Sequence, residues 1–178
     1  IKDLVSEGTP LIGIEPSSIL IFRDEYLDLT KGAEHEAALK IADNTFLMDE
    51  FLSKLVQDGL VTEDMFTEKE ELIKLHGHCH QKALSSLTHT KRMLSLPKNY
   101  TVHIIPSGCC GMAGSFGYEE EHYETSIAVG ELVLFPTVRK QPSDVIIAAP
   151  GTSCRHQIKD GTGRKAFHTV EIFYNALK

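Results

Sequence analysis

Short runs of apolar residues recur along the chain, and each run ends in small or polar residues before a helical pattern begins. Runs of this length, bounded by Gly, Pro and Ser, are typical of buried strands. We therefore predict strands at residues 11–14, 72–75, 102–105 and 145–149.

Between these strands, apolar residues repeat with the spacing of helices. The clearest helix is predicted over 45–58, and Gly59 is placed to end it. Pro136 is expected to stop or kink the helix before it. The apolar face of the clearest helix consists of Leu47, Met48, Phe51, Leu52, Leu55 and Val56, and the other predicted helices cover 18–29, 33–42, 81–94, 119–134 and 168–177.

Strands that alternate with helices imply crossover connections, so we predict an α/β fold: a mainly parallel sheet with helices on both faces. In such sheets ligands gather beyond the carboxyl ends of the strands. Every Cys of the chain follows a predicted strand, and we expect all four to converge at one edge of the sheet. They are Cys79, Cys109, Cys110 and Cys154.

Composition narrows the class of protein. The 178 residues, 42% of them hydrophobic, allow one domain or two small ones that share a core. No apolar run approaches the roughly 18 residues that a transmembrane helix needs, no secretory leader is recognisable, and the absence of an initiating Met suggests a piece of something longer. Four Cys are too few for a disulfide scaffold, which indicates a reducing compartment and hence a cytoplasmic protein.

Charge is distributed unevenly. Residues 1–75 contain 17 acidic and 7 basic side chains, whereas residues 76–178 contain 8 acidic and 11 basic ones and eight of the nine His. This pattern excludes a strongly basic face, and we therefore expect no nucleic-acid partner. The acidic part is most simply a solvated surface.

The four Cys match the ligand count of an iron–sulfur cluster, because iron in such clusters prefers thiolate sulfur. Zinc is less favoured because paired C-x-x-C motifs are absent, and buried inert Cys remain an alternative. Gly recurs at every third position from Gly108 through Gly111 to Gly117, and we expect backbone N–H groups there to hydrogen-bond sulfur. A tight turn without a ligand is the other interpretation of that stretch.

Histidines surround the Cys. His76, His78 and His80 alternate, so on an extended segment they would share one face, an arrangement that can bind metal. His156 follows Cys154. For each of these side chains alone, the favoured role is hydrogen bonding around a metal site or a place at a strand end, and we single out His78, His80 and His156 for the former.

Three motifs resemble a known family: His-Cys-His at 78–80, Pro-Ser-Gly-Cys-Cys-Gly at 106–111 and Gly-Thr-Ser-Cys at 151–154. They are similar to the cysteine-rich, or CCG, domain that occurs in the iron–sulfur subunit of glycolate oxidase and in one subunit each of anaerobic glycerol-3-phosphate dehydrogenase and heterodisulfide reductase. The resemblance implies a Rossmann-like domain at 71–178 and the end of a preceding repeat, with a helical segment, at 1–70.

The same resemblance implies the ligand set. Many members carry Cys at the position of Ser18, and Cys154 lacks the second Cys of the C-x-x-C found in heterodisulfide relatives. A four-thiolate cluster of the 4Fe-4S type is therefore expected, supplemented by a His or by a Ser such as Ser18, and it can be absent from purified protein. Gly108 and Gly111 flank the paired Cys of this motif.

The residues in and around these motifs are similar to those of fused proteins that join a flavin-dependent 2-hydroxyacid dehydrogenase to an iron–sulfur module. The implied function is electron transfer from FAD, held in a partner domain or subunit, to an unspecified acceptor. The substrate would be a 2-hydroxy acid such as glycolate or lactate, and this chain alone would be inactive. Membrane association would be peripheral and through partners.

Two other classes of function stay open. One is an enzyme with Cys109 or Cys110 as nucleophile and a nearby His as base. The other is a non-catalytic docking module with ligand-free Cys and an exposed apolar patch.

Overall fold

The strands form two parallel sheets. The computed structural model describes all residues from Ile1 to Lys178. A two-stranded sheet pairs β1 with β2, and a three-stranded sheet has the order β4, β3, β5. The strands are β1 Leu11–Gly13, β2 Thr45–Leu47, β3 Glu71–Leu75, β4 Tyr100–Ile104 and β5 Ile146–Ala148.

Ten α-helices connect and cover these strands, and none of them is long and apolar enough to cross a membrane. Four single turns of 3₁₀ helix lie between them, at Leu20–Arg23, Glu63–Met65, Phe116–Tyr118 and Glu120–His122. The α-helices are α1 Pro16–Ile19, α2 Glu25–Leu29, α3 Ala33–Asp43, α4 Met48–Gln57, α5 Cys79–Leu84, α6 Leu87–Leu94, α7 Tyr123–Glu131, α8 Leu134–Arg139, α9 Thr152–Thr162 and α10 Thr169–Asn175.

Helices pack on both faces of the three-stranded sheet, as predicted. Successive side chains of a strand point to opposite faces. On β5, Ile147 therefore joins a core with Phe135 of α8 and Ile158 of α9. Its neighbour Ala148 joins a second core with Met93 of α6 and Phe173 of α10. The cores on the two faces of the sheet hold in place the strand ends that precede the Cys.

The prediction of a single sheet needs correction, because β1 does not join the main sheet. It pairs instead with β2, and Leu11 lies opposite Thr45. Residues 45–47 were predicted as the start of a helix, but they form this strand, and α4 begins only at Met48. The boundary between domains at residue 70 stays a prediction.

The face that α4 buries also differs from the predicted apolar face. Its two most buried side chains are Asp49 and Ser53, which are polar. Asp49 accepts hydrogen bonds from Thr90 and Thr169, and Ser53 accepts one from Arg92. Hydrogen bonding offsets the cost of burying these groups, which hydrophobic periodicity alone does not identify, although Leu52 of the predicted face does pack against a core.

Two longer predicted helices are interrupted. The segment 18–29 divides into α1, a 3₁₀ turn and α2, and the segment 81–94 divides into α5 and α6. Ser86 caps α6 by accepting a hydrogen bond from the Thr88 N–H.

Pro136 does not end a helix. It lies in the first turn of α8, where its missing N–H is not needed, and the break falls before it at residues 132–133. Gly59 ends α4 as predicted, with φ of 72°, and the next N–H, that of Leu60, donates to the Leu55 carbonyl at 2.9 Å.

Candidate metal centre

The four Cys converge at the carboxyl edge of the three-stranded sheet, which confirms their predicted placement. Cys79 is the first residue of α5, after β3. Cys109 and Cys110 lie in the loop after β4, and Cys154 is in the first turn of α9, after β5. The carboxyl ends of parallel strands lie at the same edge of a sheet, so three separate loops bring their sulfur atoms close together.

The sulfur atoms lie close together. The Cys79 thiol donates to Cys109 Sγ at 3.6 Å. Cys110 Sγ, Cys154 Sγ and an imidazole nitrogen of His76 all lie within 4.8 Å of one another. Cys110 and Cys154 are 2% and 0% exposed, whereas Cys79 and Cys109 are half-buried. None of the four forms a disulfide.

Hydrogen bonding among the sulfurs divides them into thiols and thiolates. Donation from Cys110, and then from Cys79, holds the pKa of Cys109 far below its ordinary value. Hydrogen bonding with Cys110, with a further contribution from His76, lowers the pKa of Cys154 to about 5. The same bonds raise the pKa values of Cys79 and Cys110. The directions of these shifts favour the thiolate, the form that binds metal, at Cys109 and Cys154.

The glycine loop supplies an N–H group to sulfur, as expected. The Gly111 N–H donates to Cys109 Sγ at 3.3 Å. Gly111 has φ of 103°, and a β-carbon there would collide with the Ser126 carbonyl of α7. Gly108 has open space instead, and its carbonyl accepts a hydrogen bond from Lys82 at 2.5 Å.

The three histidines do not lie on one extended segment, the condition on which a shared face depends. β3 ends at Leu75 and α5 begins at Cys79, which puts the three rings on different local structures. His78 caps α5, because its Nδ1 accepts the His80 N–H at 3.2 Å. Burial lowers the pKa of His78, which keeps that nitrogen free to accept.

The remaining predicted site residues are less enclosed. His80 is half-buried, and its ring meets that of His78 edge to face. His156 is exposed, and its Nδ1 lies 2.9 Å from the Tyr118 hydroxyl, because two positions along a helix turn it away from the Cys154 side. Ser18 is exposed on α1.

Known proteins are similar to this chain along nearly its whole length. D-2-hydroxyglutarate dehydrogenase of Escherichia coli is 28% identical over 172 residues, which are 96% of this chain and 16% of that protein. The protein of the same name from Pseudomonas putida is 27% identical, with 97% and 16% covered. One subunit of the anaerobic glycerol-3-phosphate dehydrogenase of Escherichia coli is 25% identical, with 96% and 41% covered.

The chain is a homologue of these dehydrogenase proteins. The resemblance to the glycerol-3-phosphate dehydrogenase subunit is thereby confirmed, and the chain spans well under half the length of each of these relatives. No protein-family model matches the chain, and no solved structure matches it significantly.

Two residues at the site of this dehydrogenase homologue were not singled out from the sequence. Glu15 reaches Thr152 at the start of α9, although 137 positions separate them. Ser107 lies 2.7 Å from the His76 ring. In the sequence, His76 is marked only by its alternation with two other histidines. No sequence signal marks Glu15.

Proposed function

We propose that this chain is the iron–sulfur electron-transfer domain of a larger flavin-dependent oxidoreductase that oxidises a 2-hydroxy acid. The observation that carries the proposal is the convergence of four unbridged Cys at one edge of a parallel sheet. The names of the homologues, all dehydrogenases or a dehydrogenase subunit, support the class of reaction.

The donor set fits an iron–sulfur cluster. All four sulfurs become thiolates when metal displaces their protons, and iron in clusters binds thiolate sulfur. The N–H of Gly111 directed at Cys109 Sγ stabilises negative charge on that sulfur. When bound, a cluster supplies one-electron transfer, which a flavin that collects two electrons requires of its relay.

The buried and the half-buried residues of the site have different roles. The buried Cys110 and Cys154 exclude water from the inner side of the site. The half-buried Cys79 and Cys109 lie on the side open to solvent, and we propose that the flavin domain or subunit, or the electron acceptor, approaches from that side. Lys82 donates to the carbonyls of Ser107 and Gly108, which holds the Cys109 loop against α5.

The substrate belongs to the larger enzyme rather than to this chain. D-2-hydroxyglutarate is the first 2-hydroxy acid to test because two of the named homologues are dehydrogenases of that acid. Glycolate and lactate follow it. We place FAD in the partner domain or subunit, and the enzyme in the cytoplasm, in keeping with the low Cys density.

The test of the cluster is anaerobic reconstitution of the chain with iron and sulfide. We expect equal amounts of bound iron and sulfide, broad visible absorption and a reducible paramagnetic signal. Cys110→Ser should lose most of the bound iron, whereas Ser115→Ala, an exposed change in the same loop, should retain it. Tight zinc binding without iron uptake would contradict the proposal.

The test of electron transfer uses the larger enzyme. With Cys109→Ser, reduction of the flavin by substrate should stay near the wild-type rate in stopped-flow measurements, while turnover to an external acceptor is lost. Unchanged turnover would show that the Cys take no part in electron transfer and would favour a docking module.

A cysteine-nucleophile enzyme is the second candidate. The half-buried position of Cys109, together with the lowered pKa of its thiol, favours it. However, Cys109 Sγ is hydrogen-bonded by other thiols and by backbone N–H groups rather than by an imidazole base. Rapid alkylation of one thiol that abolishes activity, in protein without metal, would favour this candidate.

A further inference from the structure

His76 is a fully buried side chain with one nitrogen that has no partner. It follows β3 directly and is 0% exposed. Its Nδ1 lies 2.7 Å from Ser107 Oγ, whereas its Nε2 makes no hydrogen bond of normal geometry, although the ring is close enough to Cys154 to lower the pKa of that thiol. Leaving a buried polar atom unpaired is energetically costly. An orphaned nitrogen at the sheet edge where ligands gather therefore suggests a missing ligand.

His76 belongs to the buried half of the sulfur site. His76, Cys110 and Cys154 are all buried, and their donor atoms lie within 4.8 Å of one another. A metal ion sits at roughly 2.0–2.3 Å from nitrogen and sulfur donors, so atoms with these separations can share one.

Ser107 contacts the other nitrogen of the His76 ring. A metal-binding imidazole nearly always donates its other N–H to an acceptor, which fixes the ring and leaves the first nitrogen's lone pair free. Ser107 Oγ accepts from Nδ1 in the tautomer that leaves Nε2 unprotonated, and it lies in the loop that carries Cys109 and Cys110. The loop that supplies two sulfurs thus also orients the imidazole.

We propose that His76 Nε2 binds the metal directly, as a nitrogen donor beside Cys110 and Cys154. In the iron–sulfur domain this makes His76 a fifth protein donor, with Ser107 as its positioning residue. The inference rests on the proposed function for the identity of the natural metal. A neutral imidazole ligates without adding negative charge, and His ligation is associated with higher cluster potentials.

The first experiment uses Co²⁺ as the probe and the metal-free chain under anaerobic conditions. Wild-type protein should give thiolate-to-cobalt charge-transfer bands and ligand-field bands. His76→Ala should shift the ligand-field bands and weaken binding by at least about 100-fold, and Ser107→Ala by about 10–100-fold. His103→Ala, an exposed change on β4, is the matched control and should behave as wild type. Wild-type bands and affinity in His76→Ala would overturn the proposal.

The second experiment uses protein reconstituted with iron and sulfide, with its His labelled by ¹⁵N. Pulsed paramagnetic resonance should detect an imidazole nitrogen coupled to the reduced cluster, and His76→Ala should abolish the coupling. The labelled wild-type protein decides the question even where His76→Ala does not fold, because no nitrogen coupling means no His ligand.

The two proposals fail separately. A cluster without nitrogen coupling leaves the electron-transfer function standing and removes His76 as a ligand. Co²⁺ bands that depend on His76, without any uptake of iron and sulfide, support the His76 site and overturn the iron–sulfur function. Absence of both Co²⁺ and iron binding overturns both.

Discussion

Glu15 holds Thr152 by two hydrogen bonds, although 137 positions of the sequence separate these residues. Its Oε2 accepts the Thr152 backbone N–H at 2.8 Å and the Thr152 hydroxyl at 2.9 Å. Thr152 is the first residue of α9, the helix that carries Cys154. The loop after β1 therefore places a carboxylate at the N-terminal end of a helix that builds the sulfur site.

Glu15→Gln should destabilise the chain by about 1 kcal/mol, because an amide bears no charge to complement the helix end. Partial burial raises the pKa of Glu15, but the hydrogen bonds from Thr152 outweigh burial and lower it overall, so the group is charged at neutral pH. Urea unfolding at pH 7 measures the effect. Glu68→Gln, at an exposed position, should change stability by less than half as much, and equal losses would refute a specific role for Glu15.

Glu50 should contribute stability that depends on pH. It forms a two-bond ion pair with Arg23, at 2.9 and 2.6 Å, and accepts further bonds from Ser85 and the Leu47 N–H. Burial raises its pKa, but these hydrogen bonds, that of Arg23 foremost, lower it below 4.5 overall.

Because the folded-state pKa is lowered, the stabilisation is present above the unfolded value and is lost as pH falls through the folded value. Glu50→Gln should cost about 1–2 kcal/mol at pH 7, after allowance for solvent screening, and progressively less in acid. Unfolding free energies of both proteins, measured from pH 7 downward, check this. A difference that does not shrink in acid would contradict it.

Gly111→Ala should destabilise the chain by about 2–4 kcal/mol, because it adds backbone strain and a collision with the Ser126 carbonyl. The loop that carries Cys109 and Cys110 would have to move, so iron uptake should fall as well. Gly108→Ala, where the added carbon meets nothing within 4 Å, should change stability by no more than about 0.5 kcal/mol. Equal effects of the two changes on thermal unfolding would count against this account.

Asp49→Ala should destabilise the chain by about 2–4 kcal/mol. The Asp49 carboxylate is almost wholly buried and accepts hydrogen bonds from the hydroxyls of Thr90 on α6 and Thr169 on α10, which would lose their acceptor. Asp43→Ala, at an exposed position near the end of α3, should have an effect within about 0.5 kcal/mol. Denaturant titration of both variants measures these losses of stability. Equal losses would mean that removal of a negative charge, rather than of the buried hydrogen bonds, is responsible.

The sequence determined the strands at residues 72–75, 102–105 and 145–149 and the strand-end positions of the Cys. Those features depend on local apolar periodicity and on the rule that parallel strands end at one edge, so they follow from the sequence without a tertiary structure. The homologous motifs around Cys79, Cys109 and Cys154 are equally local.

Only the tertiary structure decided which side chains face the sulfurs. The contact of His76 with Ser107 and the bond from Thr152 to Glu15 join residues 31 to 137 positions apart. The pairing of β1 with β2 and the burial of Asp49 likewise depend on partners distant in the sequence. Hydrogen bonds require separations near 3 Å, and which polar atoms come that close is set by the packing of whole helices, which periodicity along a single segment does not record.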